Sequence, residues 1–192
     1  AAGFFERVDA LAEQMRAGGG DREIERKFLL MRMPRLPQGA VREGKERVVA
    51  AIKNSGFLLP PKRITINLAP ADLRKEGSAY DLTLALGILT ASGQIKSDDL
   101  EKYIIMGELS LDGSLQPIKG ALPIAIKAKK EGFKGFILPQ ENAREAAIVS
   151  GLKVYGVGNI SEVITFFDTG TPLKETVVDP RAEFRKNLDF SE

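Results

Sequence analysis

Residues 103–118 run Tyr103-Ile104-Ile105-Met106-Gly107-Glu108-Leu109-Ser110-Leu111-Asp112-Gly113-Ser114-Leu115-Gln116-Pro117-Ile118. Tyr103 to Met106 and Leu109-Ser110-Leu111 precede an Asp-Gly pair, and Leu115 to Ile118 follows it, which predicts strands about a tight turn. Asp-Gly is expected to supply the positive φ angles that hairpins favour. Downstream the pattern changes. A helix is predicted from Leu122 to about Lys130, opened by Pro123, then a strand at Phe136-Ile137-Leu138 and a helix from Glu141 to Ser150 stopped by Gly151. A short strand at Val154-Tyr155 and a helix near Ser161 to Phe167 complete the run. A β-α-β-α rhythm requires parallel strands joined by crossovers, while the hairpin adds an antiparallel pair. The expected fold is therefore α/β with a mixed sheet.

Upstream of this block, Asp81 to Ala91 is apolar nearly all the way round, which suits a helix buried inside the domain. Ser78 and Asp81 have capping-box spacing at its start. The alternation of Ile64, Ile66 and Leu68, closed by Pro70, predicts a half-buried strand, and Pro60-Pro61 before it a turn. Val41, Val48, Val49 and Ile52 fall on one helix face, with Gly56 as its stop. Residues 1–35 read differently: a short amphipathic stretch, then Gly18-Gly19-Gly20, then a basic, Pro-punctuated run. Residues 169–192 carry two prolines and many charges and read as a linker, leaving 36–168 as the expected domain.

Composition narrows the chemistry. The chain has no His, which removes the usual general base near neutral pH and the commonest transition-metal ligand. It has no Cys, which excludes disulfides and thiolate sites and points to a reducing, cytoplasmic setting. Its apolar runs fall short of the roughly 20 residues that a membrane span needs. A formal net charge of +2 leaves nucleic acid open as a partner, because a local basic face does not show in the sum. Gly44-Lys45-Glu46 lacks both the hydroxyl and the preceding glycine-rich loop of a nucleotide-binding P-loop, so ATP hydrolysis is not expected of this chain. The nucleophile option left is a Ser activated by a buried, neutral Lys.

The run Leu68-Ala69-Pro70-Ala71-Asp72-Leu73-Arg74-Lys75-Glu76-Gly77-Ser78-Ala79-Tyr80-Asp81-Leu82 closely resembles the N-terminal module of the Mg-chelatase-related AAA+ ATPases, the ComM- or YifB-like family. So do Lys53-Asn54-Ser55-Gly56-Phe57, Gly107 to Gly113, Pro117-Ile118-Lys119-Gly120 and Leu138-Pro139-Gln140-Glu141-Asn142, and the likeness continues to Asp179-Pro180-Arg181-Ala182-Glu183-Phe184. It spans roughly residues 36–190. That module is similar in fold to the proteolytic domain of Lon, a ribosomal-protein-S5-like α/β fold (domain 2-like). Laid on the Lon motifs, Ala79 takes the nucleophile's position with Ser78 one place early, and Leu122 takes the lysine's. Both halves of the dyad are then lost. A one-residue slip restores Ser78, with Lys119 a nearby amine, and leaves a residual peptidase as the alternative.

The resemblance implies a non-catalytic accessory module that orients a hexameric AAA+ ring acting on branched DNA in recombination during natural transformation. ATP and Mg would belong to the motor alone, which is expected to lie beyond Asp189-Phe190-Ser191-Glu192. Its partners would be that motor, neighbouring subunits and single-stranded or branched DNA, with no membrane. Chelation is not implied here, since the chelatase likeness belongs to the motor and this chain has no His or Cys. Arg74, Lys75, Lys127, Lys129, Lys130 and Lys134 are the candidate DNA contacts, because Lys-rich loops meet phosphates without reading sequence. For any one of them a solvated surface charge is the competing reading. A scaffold that only sets oligomer geometry stays open. So does a phosphate-processing site at Glu23 and Glu25, where Glu23-x-Glu25-x-Lys27 resembles the opening of triphosphate-tunnel enzymes.

Overall fold

A computed structural model describes residues 38–60, 77–95 and 99–179, giving the backbone alone at 38–43. The expectations for the triple glycine, the strand at Ile64–Leu68, Glu23, Glu25, Arg74 and Lys75 lie outside the described residues. Helix α1 spans Gln38–Asn54, a 3-10 turn spans Gly77–Tyr80, and helix α2 spans Asp81–Ala91. There follow β1 (Tyr103–Ile105), β2 (Glu108–Leu109), β3 (Leu115–Gln116), α3 (Ala121–Lys130), β4 (Gly135–Pro139), α4 (Gln140–Ala147), β5 (Lys153–Val157) and α5 (Ile160–Thr169). No helix among the described residues is long and apolar enough to cross a membrane.

The parallel strands form one sheet in the order β1-β4-β5, with Tyr103 opposite Gly135 and Gly135 opposite Lys153. Every residue of β4 is buried, as a central strand covered on both faces requires. Helix α4 packs on β5 and on α3, returning the chain in the crossovers that parallel pairing needs. Its close approach depends on Gly156, where a Cβ would lie 2.7 Å from that of Ala143. Helix α5 opens with a capping box between Asn159 and Glu162 and ends at Gly170, whose φ is 74°.

The antiparallel pair is a separate ladder, Glu108 opposite Gln116 and Leu109 opposite Leu115. Both kinds of pairing expected from the sequence are present, but Tyr103–Ile105 pairs with β4 and takes no part in the hairpin. The turn also differs from the expectation. Only Gly113 has a positive φ, at 88°; Asp112 does not. Its carboxylate instead accepts the Ser114 amide at 3.0 Å and the Ser114 hydroxyl at 2.8 Å, and the Gly113 amide donates to Ser110 O at 3.0 Å. A single left-handed glycine after a tight turn closes a three-residue hairpin loop.

Helix α2 lies under this assembly with Asp81 to Thr90 all buried. Five of those residues are Leu or Ile, each worth roughly 2 kcal/mol on burial. Helix α1 packs on it through buried Val48, Ala51 and Ile52. The capping box expected between Ser78 and Asp81 does not form: the chain enters α2 from the 3-10 turn, the residue before the helix is Tyr80, and the Asp81 carboxylate is engaged elsewhere.

Candidate functional site

The residues that align with the Lon dyad, Ala79 and Leu122, are each tied to an element near the end of the sheet where its strands finish. Gly107 follows β1 there, and its amide donates to Ala79 O at 2.7 Å while its carbonyl accepts the Leu82 amide at 3.0 Å. The Ala79 backbone is thereby tied to the root of the hairpin. A Cβ on Gly107 would stand 2.7 Å from Leu115 Cδ2, so a side chain there would require the buried Leu115 to shift.

Two residues on, Asp81 has no exposed surface. Its Oδ2 accepts Arg47 Nε at 2.7 Å and the Leu109 amide at 3.3 Å, and its Oδ1 accepts Arg47 Nη2 at 3.3 Å. Burial pushes the carboxyl above the usual carboxylate range, while Arg47 and the Leu109 amide pull it back. This joint binds α1, α2 and the hairpin together. The sequence reading missed it, although an acid opening an otherwise apolar helix was the available signal.

Leu122 lies in the first turn of α3, against α4, which opens directly where β4 ends. Its amide donates to Glu145 Oε1 at 3.0 Å. Just before it, buried Asn142 of α4 clamps Ile118: Oδ1 accepts the Ile118 amide and Nδ2 donates to the Ile118 carbonyl, both at 2.8 Å. Neither an alanine nor a leucine side chain can attack a carbonyl or move a proton. Ser78 sits half-buried in the 3-10 turn, and Lys119 is exposed, whereas an activating amine has to be buried.

Lys127, Lys129 and Lys130 lie in the last turns of α3, and Lys134 in the loop that follows. Lys127 pairs with Glu131 at 3.7 Å. Lys134 reaches Asp99 at 3.6 Å and stands 5.5 Å from the centre of the Tyr103 ring. Tyr103 and then Asp99 hold its ammonium above the ordinary lysine range. Tyr103 in turn meets Phe166 and Phe167 edge-on at 5.6 Å.

An open groove of about 440 Å³ runs between the start of α5 and Thr171–Lys174, away from every residue singled out in the sequence. Glu162 on its wall is already committed to the amides of Gly158 and Asn159. Among the described residues, no group of three or more acidic side chains could hold a metal ion.

Comparison with known proteins places these features. The family model for subunit ChlI of Mg-chelatase matches residues 21–142. The competence protein ComM of Haemophilus influenzae is 41% identical over 133 residues, which cover 69% of this chain and 26% of that protein. YifB of Salmonella typhimurium is 40% identical over 151 residues, 77% of this chain and 30% of that protein. Lon protease 2 of Bacillus subtilis is 28% identical over 178 residues, 92% of this chain and 28% of that protein, in keeping with a Lon-like α/β fold. The chain thus spans about three tenths of the length of the curated relatives it matches. It belongs to the family of subunit ChlI of Mg-chelatase, on the branch that holds ComM and YifB.

Proposed function

We propose that this chain is a non-catalytic accessory module of a cytoplasmic AAA+ ATPase of the ComM kind, orienting the motor ring and giving DNA a sequence-independent foothold. The observation that carries the first part is the state of the Lon dyad positions. Laid on the Lon motifs, the chain puts Ala79 and Leu122 there, and the backbone around each is engaged in structural hydrogen bonds to Gly107 and Glu145. The matched relatives are about three times as long as this chain, which leaves room in such a protein for a motor that would bind ATP and Mg.

A fluorogenic peptide assay tests the reading. The chain and its Ser78→Ala variant should give the same background rate; activity that disappears with Ser78 would make this a Ser/Lys peptidase. The foothold rests on the lysines of α3, and fluorescence anisotropy of labelled single-stranded and forked DNA across a salt series tests it. Binding should weaken steeply with salt, as phosphate contact requires. Lys127 and Lys134 already have acidic partners, which favours the rival reading of a scaffold that only sets ring geometry. A scaffold predicts no binding at any salt concentration.

A further inference from the structure

Five lysines of this domain come together at one end of the sheet. Strands β1, β4 and β5 start side by side, and neighbouring strands lie about 4.8 Å apart. Lys102 immediately precedes β1, Lys134 immediately precedes β4, and Lys153 is the first residue of β5. The Lys134 amide donates to Lys102 O at 2.7 Å, so these two backbones touch. Helix α3 ends at the same place, and a Cβ on Gly151, two residues before Lys153, would stand 3.5 Å from Lys129 Cε.

Lys102 and Lys134 share one carboxylate, Asp99, at 2.5 and 3.6 Å. Hydrogen bonding to Lys102 and the charge of both lysines hold Asp99 below the usual carboxylate range. Lys129, Lys130 and Lys153 are exposed and make no ion pair among the described residues. Five exposed lysines are thus brought to one end of the sheet, three of them without an ion pair among the described residues, a combination that exchanges small counterions for a polyanion. The opposite end of the sheet carries the hairpin and the dyad positions.

We infer that the strand-start end of the sheet, formed by Lys102, Lys129, Lys130, Lys134 and Lys153, is the DNA-contacting surface, and that it grips backbone phosphates without reading bases. This rests on the DNA foothold proposed above. Lys102 and Lys153 enter it only through the parallel register. Asp99 competes with phosphate for the same ammonium groups.

The test is the salt dependence of binding of the chain to a labelled oligothymidylate. Changing Lys129, Lys130 and Lys153 to Gln should weaken binding at least about tenfold at low salt and lower the slope of log K against log salt by about 2, at roughly 0.7 per lost contact. An Asp99→Asn variant should bind more tightly than the parent. A control with Lys45, Lys53 and Lys174 changed to Gln makes the same change in net charge elsewhere and should keep the parental slope. Unaltered thermal midpoints certify that the variants are folded. If the parent binds and the first triple variant keeps its affinity and slope, the surface assignment is wrong while the foothold stands. If the parent does not bind even at low salt, both fall.

Discussion

Asp81 meets two opposing demands: the hydrophobic setting of α2 disfavours its charge, and Arg47 with the Leu109 amide favours it. Burial prevails, so the folded chain holds the Asp81 proton more tightly than the unfolded chain, where the ordinary value is 3.8. The stability this group contributes is therefore complete below about pH 3.8 and declines as pH rises through the raised folded value. Arg47→Met should widen that decline by leaving a buried carboxylate without its counter-ion, a loss of about 3 kcal/mol at pH 7. Urea unfolding at pH 7 and pH 4.5 checks this, and the deficit should shrink at the lower pH as Asp81 protonates. Adding Asp81→Asn to Arg47→Met should recover part of the loss at pH 7, since the amide oxygen still accepts from Leu109 and no charge remains.

At the scale of elements, the loop before α3 is held by a side chain from another helix. Asn142→Ala removes the partners of both the Ile118 amide and carbonyl, each costing about 1–3 kcal/mol if left buried and unpaired. A drop of roughly 3 kcal/mol in chemical unfolding, with an unchanged denaturant slope, is expected. Gly156→Ala would press a methyl against Ala143 Cβ and Gln140, forcing α4 off β5 at a cost of about 1–3 kcal/mol by the same assay. Helices and strands after Asp81 were legible because their apolar spacing is a local signal, and α2 was recognised as buried from its all-round apolarity, but α4 ends at Ala147, three residues short of the Ser150 end expected from Gly151. What was not legible depends on residues far apart. Asp81 looked like a capping partner because Arg47 is 34 positions away, and Asn142 gave no sign of reaching Ile118 across 24. The hairpin was located but its strands are only two residues long, too short for alternation to fix their ends.

For the molecule as a whole, the chain stays attached to the sheet beyond its last helix. The Thr176 amide donates to Val154 O at 2.8 Å, Glu175 bridges Tyr155, and Leu173 packs against the core. Ending the chain at Gly170 should therefore lower the thermal midpoint by several degrees, as the loss of about 1–2 kcal/mol would. The lysines teach the same lesson as the buried joint. Those of α3 form a cluster visible in the sequence, whereas Lys102 and Lys153 become their neighbours only when β1, β4 and β5 align. The Arg47–Asp81–Leu109 joint also bears on synthesis. A ribosome must release residue 109 before α2 can find all its partners, so a greasy helix with no polar face waits without its cover while the chain lengthens. That interval, more than the finished fold, is where a chaperone would be needed and where a nascent chain would stick to its neighbours.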